Sequence, residues 1–368
     1  MIGPADDFLI HQTHEPVAYV ATSDRRFYDR YFFTGHRCDA SLYFMIGMGV
    51  YPNLGVIDAF VSVALGDVQV TTRGSRELGA NRMDTRKVGT VDIEVVEGLR
   101  RLHLHGGPGE AVSFDLAWEG TVPMFEEPPL FDRRLGRVIE QATRIVQTGR
   151  WRGHLEVDGT RIELDPATAW GGRDRSWGVR SLGLEREPSG ILQARGGSAL
   201  RPPLWIWSPM QFEDFTLHYS LNEHANGERP VAAVRRMPAF GRGGEAEQLR
   251  NPDHALRFDP TTRELLAGSA VSFEEADGRR RTIRLEPLRR AYLRAGTGYG
   301  GPDAWRHGSY MGATWASSVR HDLTDASLTS KIGPTHVLCR MTLDSGEVGY
   351  GTFEAGVFGA FPKYGFRE

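Results

Sequence analysis

Cysteine is nearly absent from this chain of 368 residues, with Cys38 and Cys339 the only two. They are too few for a disulfide framework or a cysteine-based zinc site, and a reducing cytoplasm is the default they imply. Lysine is almost as scarce. Lys87, Lys331 and Lys363 stand against a combined Lys and Arg count of 44, so arginine carries the basic charge, and its planar fork suits bidentate pairing with carboxylates. No run of about 18 apolar residues occurs, which excludes a membrane-spanning helix. Met1 to Glu15 lacks a basic start followed by an apolar core, so no signal peptide is read there. The net charge of −3 gives no general attraction to nucleic acid or to anionic lipid. No Gly-x-Ser-x-Gly elbow accompanies Gly106-Gly107-Pro108-Gly109, and Gly296 to Gly301 lacks dinucleotide-binding spacing and context. Serine-hydrolase and nucleotide-binding readings are therefore poor.

What is present is short alternation of apolar and polar residues, cut every dozen or so residues by Gly, Pro, Asn or Asp. The pattern predicts an all-β protein. Candidate strands are Arg30–His36, Ser41–Met48, Ile57–Leu65, Val91–Val96, Arg101–His105, Val112–Trp118, Trp151–Val157 and Thr160–Leu164 in the first half. In the second half they are Leu204–Phe212, Thr216–Asn222, Ala270–Glu275, Thr282–Leu288, Tyr310–Val319, His336–Leu343 and Gly346–Phe358. Asp158-Gly159 predicts a tight hairpin, because that dipeptide accepts the positive φ angles of the turn. Only Leu130–Gln147 reads as a helix, with Asp132 as its N-cap, although Thr143–Thr148 also alternates like a strand. So many strands would leave long edges exposed unless they closed, which predicts two antiparallel β-barrels in tandem with one or a few short helices. The polar, turn-rich stretch between Val179 and Pro203 marks the boundary, giving domains 1–185 and 200–368. Met237–Asp253, rich in glycine and charge, reads as a surface excursion.

The string Gly171-Gly172-Arg173-Asp174-Arg175-Ser176-Trp177-Gly178-Val179 concentrates a carboxylate, two guanidiniums and an indole, and reads as a glycine-framed turn beside that boundary. Either Asp174 is a functional acid, or it is one member of a structural Asp–Arg corner. Three stretches carry a resemblance. Phe27-Tyr28-Asp29-Arg30-Tyr31-Phe32-Phe33-Thr34-Gly35-His36 looks like the aromatic first strand of the tandem lipocalin-like superfamily that contains AttH-like proteins and hydroxyneurosporene synthase, the carotenoid hydratase. Trp170 to Gly178 is similar to that superfamily's Asp-His-x-Trp-Gly motif, with Arg175 in place of the His. Gly349-Tyr350-Gly351-Thr352-Phe353-Glu354 looks like its Gly-Tyr-x-x-Glu ending. Gly296–Gly300 and Trp305–Gly312 look closer to an uncharacterised bacterial branch.

The resemblance implies two lipocalin-like barrels and acid chemistry on a carbon–carbon double bond, without a redox cofactor. Such a site needs a desolvated acid, aromatic faces and a dry channel. Asp174, His307, Tyr310 and Glu354 are the candidate catalytic residues, and Tyr28, Tyr31, Trp177, Trp205 and His218 the candidate substrate contacts. Arg173 and Arg175 would oppose a raised Asp174 pKa unless they point away from it. His103 and His105 share a strand face, but no third ligand is identifiable, so no metal and no cofactor are expected. The expected function is a cytoplasmic lyase or isomerase, of hydratase, dehydratase or cyclase type, acting on a hydrophobic isoprenoid, steroid-like or polyketide molecule. The alternative is a non-catalytic carrier of a hydrophobic metabolite. No nucleic-acid partner and no stable membrane insertion are expected, and the oligomeric state stays open.

Overall fold

The computed structural model describes residues 1–180, 202–333 and 335–367. The strands of the first half are β1 (Phe27–Arg37), β2 (Leu42–Tyr51), β3 (Val56–Leu65), β4 (Val68–Glu77), β5 (Val91–Glu97), β6 (Arg101–Gly106), β7 (Val112–Gly120), β8 (Phe125–Glu126), β9 (Leu130–Arg134), β10 (Arg137–Val157), β11 (Thr160–Leu164) and β12 (Ala169–Val179). Those of the second half are β13 (Leu204–Gln211), β14 (Phe215–Glu223), β15 (Val231–Pro238), β16 (Glu247–Ala255), β17 (Ser269–Glu274), β18 (Arg280–Tyr292), β19 (Thr314–Asp322), β20 (Thr335–Leu343) and β21 (Val348–Val357). One α-helix, α1 (Ala326–Ile332), is described, capped by the Asp325 carboxylate. No helix among the described residues is long and apolar enough to cross a membrane.

The all-β expectation holds, with strands arranged as a closed antiparallel barrel and a curled sheet. β13 to β18 with β20 and β21 form the closed eight-stranded barrel. The other strands form a sheet whose main path runs β19-β4-β3-β2-β1-β12-β10-β7-β6-β5. β19 comes from the second half of the chain, so the connection from β18 to β19 leaves the barrel and crosses to the sheet. The boundary expected between Val179 and Pro203 lies almost wholly outside the described residues.

Burial explains which strands read clearly in sequence. β2 and β3 are buried on both faces and accordingly read as near-continuous apolar runs. β7 alternates strictly between core and solvent. The even-numbered residues of β2, such as Phe44, Ile46 and Met48, point into the core inside the curled sheet, while Tyr43 and Met45 point out of it, toward the second barrel and the β18–β19 connection.

Two local expectations are corrected. Leu130–Gln147 is not a helix: Leu135 and Gly136, at φ 47° and 80°, form a tight reversal that pairs Arg134 with Arg137, and the chain runs on as β10. Nor is the Asp174 string a turn, since it is the central strand β12, hydrogen-bonded to β1 and β10. Its glycines serve close packing: a Cβ on Gly171 would lie 2.0 Å from the Thr34 carbonyl oxygen. The Met237–Asp253 stretch likewise contains most of β16. Asp158-Gly159 turns as expected, with φ 49° and 80°.

Candidate active site

Register decides what Asp174 faces. In an antiparallel sheet, residues directly opposite each other project from the same face. Phe32 lies opposite Asp174, Arg30 opposite Ser176 and Tyr28 opposite Gly178. Across β2 and β3, Asp58 shares a row with Gly49 and Arg30, and Phe60 shares one with Gly47 and Phe32. Gly47 and Gly49 make room here, because a Cβ at either would lie 2.3 Å from the Phe60 ring or the Tyr51 hydroxyl. Asp174, Arg30, Tyr28 and Asp58 thus stand on the outer face of the curled sheet.

Arg173 and Arg175 project from the opposite face. Arg173 Nε donates to Gln147 Oε1 at 2.9 Å, and Arg175 is paired with Asp29. Neither therefore hydrogen-bonds to Asp174, although the Arg175 guanidinium still interacts electrostatically with it. Among the described residues its carboxylate has no hydrogen-bond or ion-pair partner, although its side chain is only partly exposed. Burial pushes its pKa up, against the opposing pull of the Arg30 guanidinium. A carboxyl in this condition is suited to hold and deliver a proton.

The β18–β19 connection brings the other half of the site. Gly298, at φ 88°, turns it tightly, since a Cβ there would lie 2.7 Å from the Trp305 ring and 2.9 Å from His307. His307 is buried. Its Nδ1 lies 3.4 Å from Asp58 Oδ1, and the Asp58 carboxylate also accepts from the Gly308 N–H at 2.7 Å and the Tyr51 hydroxyl at 3.3 Å. His307 Nε2 has no partner among the described residues. Burial depresses its pKa, with Asp58 opposing, which keeps the ring neutral. Tyr299 meets His307 edge to face, with ring centroids 4.8 Å apart, and its hydroxyl accepts from Arg30. The Arg180 guanidinium lies 4.6 Å over the Tyr28 ring. Arg30 and Arg180 act electrostatically on both Asp174 and His307, so acid and imidazole belong to one charged cluster.

The sequence profile of a family described as a family of unknown function (DUF8625) matches residues 2–367. The chain belongs to that family. A search of curated proteins finds no sequence match. Among solved structures, this DUF8625 member is similar to a putative AttH from Nitrosomonas europaea, at 14% identity and a TM-score of 0.54, covering 95% of this chain and 98% of that one. It is also similar to CghA, at 12% identity and a TM-score of 0.50, covering 91% and 89%. Kievitone hydratase from Nectria haematococca matches more loosely, at 12% identity and a TM-score of 0.41 over 89% and 88%. The AttH and CghA likenesses show the fold, in agreement with the tandem lipocalin-like arrangement that the sequence resembles.

A second buried carboxylate of the DUF8625 chain stands nearby. Glu127 contacts Arg144 of β10 at 2.5 Å and His218 of β14 at 3.4 Å, and accepts from Trp207 Nε1 at 2.7 Å. Burial alone would raise its pKa, but Arg144 and then His218 outweigh that and bring it to about 2. Trp205 lies under the Arg144 guanidinium at 5.4 Å. His218 and Trp205 thus belong to this ion-pair cluster. Glu354 lies in a third group: His336 Nε2 is 3.6 Å from its carboxylate, and His336 Nδ1 is 3.2 Å from the Tyr43 hydroxyl. That group ties β20 and β21 to β2.

Three expected site residues lie elsewhere. Tyr310 is 62% exposed and donates to Glu77 at 3.0 Å, since the strand it was assigned to begins only at Thr314. Tyr31 and Trp177, by their odd register positions, project from the face opposite Asp174, and Trp177 is exposed. His103 and His105 do have a third group beside them, Asp115, at 2.9 and 3.8 Å, contrary to expectation; all three are exposed. Sequence reasoning missed Asp58, Arg30, Tyr299, Arg180, Glu127 and Arg144. Asp58 carried a usable signal, a carboxylate within the apolar run of β3.

Proposed function

We propose that this protein is a cofactor-independent lyase or isomerase that moves protons on a hydrophobic small molecule of isoprenoid, steroid-like or polyketide type, held against the outer face of the curled sheet. The observation that carries the reading is the Asp174 carboxyl: half-buried, unpartnered among the described residues, and with its pKa raised by desolvation. Tyr28 Oη, His307 Nε2 and Arg180 Nε are buried without partners among the described residues. Buried polar groups are expensive unless something hydrogen-bonds to them, and a polar substrate oxygen would do so.

Asp174 is the proton donor, and His307, oriented through Nδ1 by Asp58, presents Nε2 as the base. In the dehydrating direction Asp174 protonates a leaving hydroxyl, which departs as water, while His307 takes a proton from the adjacent carbon. A proton returned from His307 to Asp174 restores both groups; hydration is the reverse. Arg30 and Arg180 would repel a carbocation but stabilise negative charge developing on oxygen. The geometry therefore favours a substrate with a carbonyl conjugated to the reacting carbons over a pure hydrocarbon.

The test is incubation with a panel of hydrophobic β-hydroxy ketones and enones in ¹⁸O-labelled water, read by mass spectrometry. Loss of water from a hydroxy ketone, or gain of labelled water by an enone, with wild-type protein, cut about a hundredfold or more by Asp174→Asn, is the expected result for a positioned acid. A panel member that binds tightly and returns chemically unchanged would instead support the carrier reading. Turnover undiminished in Asp174→Asn would remove Asp174 from the mechanism.

A further inference from the structure

Toward the C-terminal end of β10 the curled sheet gathers titratable side chains that the proposed reaction does not use. His105 of β6 and His154 of β10 both lie directly opposite Asp115 of β7. Directly opposed residues share a face, so these three stand in one row across three neighbouring strands. His103 precedes His105 by two residues and joins them on that face. Three of the chain's 12 histidines thus surround one carboxylate. His103 Nε2 lies 2.9 Å from Asp115 Oδ1, and His105 Nδ1 lies 3.8 Å from Oδ2. All three histidines act on Asp115, whose pKa is lowered chiefly by the His103 hydrogen bond.

The same rows are acidic. Asp92 faces His105, Glu94 faces His103 and Glu163 faces His154, while Arg152, opposite Ala117, is the one arginine in register with them. Among the described residues Asp115 pairs with no arginine or lysine; its contacts are the histidines. No three ligand side chains among the described residues are already drawn around one point. Here they need only swing, because the side chains of His103, His105 and Asp115 are 40%, 48% and 51% exposed and turn without repacking a core. His105 and His154 flank Asp115 at one interstrand spacing on either side, about 4.8 Å each, and imidazoles leaning toward the middle strand close that gap.

We propose that His103, His105, His154 and Asp115 form a surface site for one divalent ion of the zinc class, three imidazole nitrogens and one carboxylate oxygen closing a tetrahedral set that clamps β6, β7 and β10 together. Such a donor set suits zinc and its neighbours, whereas magnesium and calcium take oxygen ligands. Val146, which lies opposite Asp174, is eight residues back along β10, roughly 26 Å at the rise of an extended strand. The ion therefore takes no part in the reaction proposed above. Its effect is on stability, since an ion held by the folded chain and not by the unfolded one shifts the equilibrium toward folding.

Zinc chloride is the probe and magnesium chloride its counterpart, added to the full-length chain purified without a histidine tag and stripped with chelator. Binding is measured by calorimetry and by melting temperature. Saturable one-to-one zinc binding is expected, with a dissociation constant on the order of 1 μM or tighter, a rise of several degrees in melting temperature at saturating zinc, and no response to magnesium. His105→Gln and His154→Gln, neither in the core, should each weaken zinc binding about tenfold or more, since groups that merely orient a metal ligand are already worth roughly 10–100-fold. His14→Gln, in an exposed N-terminal pair with Glu15, should leave zinc affinity unchanged. Absence of saturable zinc binding at that strength, an equal response to magnesium, full affinity retained in His154→Gln, or a loss in His14→Gln matching that in His105→Gln would each overturn the assignment.

Discussion

Asp174 and Glu127 are carboxylates of the same buried region, and their surroundings drive them in opposite directions. Glu127 is gripped by Arg144, His218 and Trp207 and held at a pKa of about 2. Asp174 feels Arg30, Arg180 and Arg144 only at a distance, and burial raises its pKa. Partnering, more than burial, separates a structural carboxylate from a reactive one. The histidines repeat the contrast. His254 in the closed barrel is fully occupied, Nε2 at 3.0 Å from Glu223 and Nδ1 at 2.5 Å from the Tyr364 hydroxyl, while His307 Nε2 has no partner among the described residues.

The largest effect expected from this contrast is on turnover. Asp174→Asn should lower it about a hundredfold or more without lowering the melting temperature. A folded-state pKa above the unfolded value means that stability falls as pH rises from the unfolded value through the folded one. The amide removes that cost, so at neutral pH the melting temperature should hold or rise. Glu127→Gln should do the reverse, losing about 3 kcal/mol of stability by denaturant titration, because Arg144 is left buried without its counter-charge.

Acid titration sharpens the same pair. The folded pKa of Glu127 is depressed, so its contribution is present above the unfolded value of 4.5 and is lost as pH falls toward about 2. Glu127→Gln should accordingly flatten that part of the stability–pH curve relative to wild type. His307 acts with the same sign nearer neutrality: its depressed pKa means that stability declines as pH falls below 6.5, while basic function is lost only at the lower pH where the folded ring protonates. The smallest effect is expected at Tyr310. Tyr310→Phe removes one exposed hydrogen bond to Glu77 and should leave turnover unchanged within error and stability within about 0.5 kcal/mol. A tenfold loss of turnover there would return Tyr310 to the site.

The all-β character and most strands were readable from alternation, and β2 and β3 from their apolar runs. The helix expected at Leu130–Gln147 failed because the decisive feature, the Leu135-Gly136 reversal, involves a non-glycine residue at positive φ, which composition does not announce. Asp174 was legible as a residue but not as an environment. The outward or inward sense of its neighbours follows from strand parity, and parity was hidden while the string read as a turn. Arg30, Tyr299 and Arg180 enter through pairings between segments more than a hundred residues apart, for which local sequence holds no signal.

The central claim is that Asp174 lies in a setting that favours its protonated form. Carboxyl ¹³C titration by NMR, with the Asp174→Asn variant used to assign the resonance, measures this directly. The account predicts a midpoint above the ordinary 3.8 for Asp174; a midpoint at or below 3.8 would show the carboxylate to be an ion-pair partner like Glu127, and would contradict it.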